Sequence, residues 1–190
     1  MSEQPKKLRA DAARNRARVL EVAYEVFAAE GLAVPIDEIA RRAGVGAGTV
    51  YRHFPTKEAL FRAIVVDRVE RMVEHADELA ADHAPGEALF AFLREMADVG
   101  SADQGLVEAL AGTGFDLAAE APAAEDEFMR VLDRLLSAAQ AAGSVRADLD
   151  ARDLKVLLVG CQAMRRYAPD PKVAATALAV LTAGLAVPTG

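Results

Sequence analysis

Residues 36 to 57, IDEIARRAGVGAGTVYRHFPTK, limit what this chain can fold into more than any other stretch. Ile36, Ile39, Ala40 and Ala43 recur at the i, i+3, i+4, i+7 spacing that lines one helical face. Gly44 follows where a helix C-terminus calls for a left-handed residue, a conformation open to glycine without steric penalty. A second short helix is predicted from about Ala47 to Phe54. Val50 and Phe54, four apart, supply its inner face; Thr49, Arg52 and His53 supply the outer one, with Tyr51 at an edge. Thr56 is placed to cap a third helix from Lys57. Two short helices about a tight glycine turn form the helix-turn-helix unit, whose second helix enters the DNA major groove. The same spacing also suits a plain helical corner, so the identity of the residues has to decide between the two.

The stretch GVGAGTVYRHFPTKEAL resembles the recognition region of the TetR family of bacterial transcriptional repressors, where a G-V-x-x-G-T-hydrophobic-Y-x-x-F-x-x-K pattern is characteristic. Gly44, Val45, Gly48, Thr49, Val50, Tyr51, Phe54 and Lys57 fit it. The segments RNRARVLEVAYEVFAAEGL and IDEIARRA are similar to the family's first two helices, so the resemblance is specific over about residues 12 to 72. It implies an all-α chain: an N-terminal three-helix DNA-binding domain, then a helical domain for effector binding and dimerisation.

The net charge of −7 argues against DNA until its distribution is considered. Residues 1 to 57 carry +3 and the remainder −10. Within the first twenty, Lys6, Lys7, Arg9, Arg14, Arg16 and Arg18 face only Glu3 and Asp11. Phosphate neutralisation depends on where cations sit, because screening cuts interactions beyond about 8 Å. An acidic remainder repels DNA from the wrong face. Hydrophobic residues make up 53 %, enough for a packed core in a chain of 190 residues, and no apolar run is long enough for a membrane span. With no apolar leader and one cysteine, Cys161, the expected location is the reducing cytoplasm.

Apolar periodicity and punctuation predict about nine helices and no strands. A flexible basic arm is expected over 1–11, a DNA-binding domain over 12–56 and an effector-binding and dimerisation domain over 57–190. The first helix is expected from Ala12 to Glu30, closed by Gly31, and the one from Lys57 should reach Asp82. Further helices are expected at 87–99, briefly near 104–111, at 123–142, from an Asp150 cap to Tyr167, and, beyond the Pro169-Asp170-Pro171 break, in a last stretch ending before Pro188.

The chemistry assigned to individual residues follows from their side chains. Thr49 and Tyr51 offer hydroxyls to phosphate oxygens, contacts that fix register without reading sequence. Lys57, in the first turn of the next helix, adds an ammonium to free backbone N–H groups. The resemblance gives the positions of Thr49, Tyr51 and Lys57 backbone-contacting roles. His53 is either a further backbone contact or a solvated helix histidine. Gly46 and Ala47 are too small for bidentate base recognition, although Ala47 can pack on a thymine methyl. Arg52 can reach a guanine, a phosphate or only solvent. Arg9, Arg14 and Arg16 are candidates for a narrow minor groove.

A single unit of this kind binds weakly, and helix-turn-helix proteins usually pair to meet successive major grooves of a palindromic operator. Leu154, Leu158 and Cys161 on one late helix and Ala177, Val180 and Leu181 on the last are the expected homodimer face; an ordinary core is the other reading of these stripes. Phe92, Met96, Leu110, Phe115, Phe128 and Leu132 are the candidate lining of a pocket for a small apolar effector, with Arg94, Arg165 and Arg166 the available partners for an acidic group. No cofactor or metal is expected, since His53, His75 and His83 with Cys161 lack ligand spacing, and no catalytic constellation emerges. The competing functional class is a helical-bundle ligand carrier or enzyme with a structural helix-turn-helix.

Overall fold

The computed structural model describes residues 4–102, 117–167 and 170–187, and within them it is helical almost throughout. Nine helices occur among the described residues. They are α1 (Gln4–Glu30), α2 (Ile36–Ala43), α3 (Ala47–His53), α4 (Lys57–Asp82), α5 (Pro85–Ala102), α6 (Leu117–Glu120), α7 (Pro122–Ala141), α8 (Ala151–Tyr167) and α9 (Pro171–Leu185). The short helix expected near 104–111 lies outside the described residues. Where an arm was expected over 1–11, α1 already runs from Gln4. Its opening QPKKLRADAARNRAR is rich in good helix formers behind a proline in the first turn, which accounts for the early start.

The chain divides into two compact units, Met1–Arg68 with Ala102–Ala121, and Val69–Ser101 with Pro122–Gly190. The residues of α4 up to Arg68 sort with the first unit, the head.

In the first unit, α1 contributes Leu20, Ala23 and Phe27, α2 its whole predicted stripe, and α4 Leu60, Phe61 and Ile64 to one core. Val50 and Phe54 of the α3 segment complete it. Full burial of an aliphatic or aromatic side chain is worth about 1.5–3 kcal/mol, so the α2 isoleucines alone anchor that short helix. Gly44 takes φ 67°, and the N–H groups of the turn return to Ala40 and Arg41 oxygens, the left-handed closure that a Cβ would strain. Thr56 Oγ1 accepts from Ala59 N–H at 3.1 Å and caps α4. Within this unit Arg62 of α4 pairs with Glu120 of α6, and the Arg68 guanidinium lies 3.3 Å from the Tyr24 ring centroid.

In the second unit, Leu89, Phe92 and Leu93 of α5 meet Leu132, Leu135 and Leu136 of α7 and Leu154 of α8 in the other core. Gly86 has no room for a side chain, because a Cβ there would stand 2.5 Å from the Ser144 Cβ. Asp150 Oδ1 accepts from Arg152 and Asp153 N–H groups while Asp153 Oδ2 accepts from Asp150 N–H, a reciprocal box that starts α8. Asp170 does the same work for α9, with Pro171 in its first turn. The one bridge among the described residues joins Val145 to Ala186, so Arg146 N–H reaches the Leu185 carbonyl at 3.0 Å.

Candidate nucleic-acid interface

The outward face of α3 is the feature around which the head is built. Val50 is 1 % exposed and Phe54 3 %, so their side of the helix is committed to the core. Tyr51, Arg52 and His53 are left exposed and Thr49 half-buried. The Phe54 N–H closes the helix on the Val50 carbonyl at 2.8 Å, just beyond the three exposed side chains. Ala47 is half-buried against the core, and Gly46 caps α3 by backbone alone, with no side-chain hydrogen bond. The first turn of α3 therefore presents few side-chain hydrogen-bonding groups.

The cations of the head differ in how far they are already engaged. Arg52 has neither a hydrogen bond nor an acidic partner among the described residues. Arg14 pairs with Asp11, and the Arg16 guanidinium stands 5.7 Å from the Phe54 ring centroid. The side chain of Arg9 lies outside the described residues, as do those of Lys6 and Lys7. Lys57 has partners that the sequence did not show: its ammonium donates to the Leu32 carbonyl at 2.8 Å and the Ala33 carbonyl at 3.4 Å. Two of its three protons thus tie the start of α4 to the α1–α2 connection, leaving one for an anion.

One group escaped the sequence reading altogether. Glu38 of α2 binds both Arg41 and Arg42, and Arg42 also pairs with Glu30 of α1. Hydrogen bonds from both arginines hold the Glu38 carboxyl down at about 2. The signal was present in the i, i+3 and i, i+4 spacing of Glu38, Arg41 and Arg42.

The second unit holds the other candidates. Phe92 and Leu132 are fully buried and Met96 nearly so, with Phe128 packed alongside; all four belong to one apolar cluster. Leu110 and Phe115 lie outside the described residues, as do the side chains of Arg165 and Arg166. Arg94 is exposed. Leu154, Leu158 and Cys161, expected at a dimer face, are set into the protomer's own core. Burial pushes the Cys161 thiol up. The open face of α8 is the opposite one: Val156 is 69 % exposed, Val159 56 %, and Met164 is exposed too. On α9 the exposed apolar residues are Val173 and Val180, with Ala177 and Leu181 half-buried. These and Val187 account for all the large exposed hydrophobics among the described residues except Tyr51.

Among the described residues no His, Cys, Asp or Glu cluster suits a metal ion, and no helix is long and apolar enough to cross a membrane.

Comparison with known proteins agrees with this layout. Residues 19–64 match the model of bacterial regulatory proteins of the tetR family, and residues 84–187 that of the SbtR-like transcriptional regulator C-terminal domain. A TetR transcription regulatory protein from Mycobacterium vanbaalenii is 58 % identical, with TM-score 0.75 over 95 % of this chain and 99 % of that one. A TetR transcriptional regulator from Streptomyces coelicolor is 34 % identical, with TM-score 0.71 over 92 % and 99 % of the two chains. An HTH-type transcriptional regulator of Staphylococcus aureus is 32 % identical over 77 residues, 40 % of this chain and 42 % of its own length.

Proposed function

Because this chain belongs to the TetR family of bacterial transcriptional regulators, we propose that it is a homodimeric repressor, released from a palindromic operator by a small, largely apolar effector. The observation that carries the reading is the outward face of α3, where Tyr51, Arg52 and His53 project from a helix whose other side is buried. In this reading Thr49, Tyr51 and His53 bind phosphates, together with the remaining proton of Lys57. Arg52, without an acidic partner among the described residues, reads a base or grips a phosphate. Ala47 packs against a thymine methyl, and Arg9, Arg14 and Arg16 of α1 add cationic contacts along the duplex.

The exposed valines of α8 and α9 support pairing with a second copy. Such a face costs free energy in water, and a partner's matching face removes it from solvent. Ala177, Val180 and Leu181 belong to this face, while Leu154, Leu158 and Cys161 support it from beneath. Pairing sets two α3 helices against successive major grooves, ~34–36 Å apart. In this reading an apolar effector is received among Phe92, Met96, Phe128 and Leu132, joined by Leu110 and Phe115. An effector that binds one spacing of the heads better than the other shifts the DNA-bound population by its differential affinity. The protein regulates without catalysing, in the cytoplasm.

A mobility-shift titration against DNA from the protein's own upstream region tests the reading. A specific shift by a dimer is expected, with log K falling linearly as log salt rises. A dimer that retards no such fragment at low salt would instead favour a ligand carrier with a structural helix-turn-helix.

A further inference from the structure

Both arginines of α2 are held by carboxylates of their own unit. Glu38 Oε2 accepts from Arg41 Nε at 2.7 Å, while its Oε1 accepts from Arg41 Nη2 at 2.6 Å and from Arg42 Nε at 2.7 Å. Arg42 forks in addition onto Glu30 at the end of α1, with Nη2 3.2 Å from Oε2. Glu30, Arg42, Glu38 and Arg41 therefore alternate in sign and sum to zero. Asp37, beside them on α2, takes part in no ion pair among the described residues.

The first helix of a helix-turn-helix crosses the phosphate backbone, so cations on its open face stand close to DNA. Ile36, Ile39, Ala40 and Ala43 turn inward, and Arg41 and Arg42 are left on that open face. Guanidinium recognises phosphate by the same planar fork with which it grips a carboxylate. Glu38 and a phosphate are thus rivals for the same donors.

The geometry points to Glu38 as an affinity-setting residue, whose carboxylate withholds Arg41 and Arg42 from DNA phosphates so that binding to arbitrary sequence stays weak. This rests on the head's binding of DNA and says how that binding is kept selective. Contacts to phosphate carry no sequence information, so adding two of them would tighten operator and non-operator alike. A head that reads few base edges has a narrow margin between the two, and every surplus phosphate contact raises occupancy of the competing genomic sites.

The test uses the full chain as wild type, Glu38→Gln, Glu30→Gln with Glu38→Gln, and Asp37→Asn, with fluorescence anisotropy on a labelled duplex of scrambled sequence over a potassium chloride series. Each arginine newly placed on a phosphate steepens the slope of log K against log salt by ~0.9. Glu38→Gln should steepen it by about one such contact and the double variant by about two, with binding to the scrambled duplex roughly tenfold tighter at low salt for the single change. Asp37→Asn removes equal charge without freeing an arginine, and should leave the slope unchanged. Equal slopes for Glu38→Gln and Asp37→Asn would overturn the proposal. So would a fall in melting temperature with weaker binding, because Glu38 would then serve only to hold α2 in place. If wild type bound neither this duplex nor upstream DNA at low salt, the DNA-binding reading would itself fall.

Discussion

Replacing Lys57 by methionine separates two uses of one ammonium. Methionine keeps most of the stem and discards the charge, so packing is conserved while both carbonyl contacts vanish. The bond to Leu32 is 2.8 Å long and part-buried; that to Ala33 is 3.4 Å long and exposed, where water replaces it. Hydrogen bonds to charged groups are worth about 1.5–3 kcal/mol, and partial exposure of Lys57 lowers this to about 1 kcal/mol from the Leu32 bond alone. In a chain of this size each kcal/mol moves the melting temperature by roughly 2–4 °C, so DNA-free Lys57→Met should melt about 2–4 °C below wild type. Circular dichroism at 222 nm follows the transition, and the anisotropy titration follows DNA. Both should weaken. An unchanged melting temperature beside a full loss of DNA affinity would refute the reasoning, because the ammonium would then be free for phosphate and irrelevant to the α1–α2 connection.

Arg52→Ala should cost about 1–3 kcal/mol of discrimination at one operator position if it reads a base, or flatten the salt slope by ~1 if it grips phosphate; a competition panel of single-base variants decides. Phe92→Ala should lose about 3–5 kcal/mol in urea unfolding, and a loss below about 1 kcal/mol would mean the ring fills no packed core. Val156→Lys with Val180→Lys should leave helicity intact yet convert dimer to monomer in sedimentation velocity; an unchanged mass would move the interface elsewhere. His75 is raised above its ordinary value by its hydrogen bond to Glu95, assisted by Glu78. Its contribution is therefore complete below about 6.5 and lost as pH rises through the folded value. The urea midpoint of wild type relative to His75→Gln should fall between pH 6 and pH 9, and a constant difference would count against the pairing.

The parts that were legible in the sequence are those governed by neighbours along the chain. The bounds of α2, α3 and α4 follow from the Ile36–Ala43 stripe, the Gly44 closure and the Thr56 cap, all local signals. The Asp150 cap could be read for the same reason. The use of Lys57 could not, because its carbonyl partners lie 24 and 25 residues away and backbone oxygens leave no mark in side-chain pattern. Helix α8 shows a different obstacle. Leu154, Leu158 and Cys161 form one apolar stripe, and Val156 with Val159 lies off it. Periodicity marks both without saying which one a partner helix of the same protomer covers. The four-residue α6 is too short to have a period at all.

The open face of α8 and α9 is made chiefly of valine: Val156, Val159, Val173 and Val180. A β-branched side chain in a helix has one strongly preferred χ1 rotamer, so these four are ordered before anything touches them. Leucine or methionine would bury more area but would first have to surrender side-chain entropy, at roughly 0.5–1.5 kcal/mol for each immobilised group. The valine face is in that sense pre-organised, with its shape settled by the fold of one chain. Whatever surface comes to cover it meets side chains that have almost no rotamer freedom left to lose.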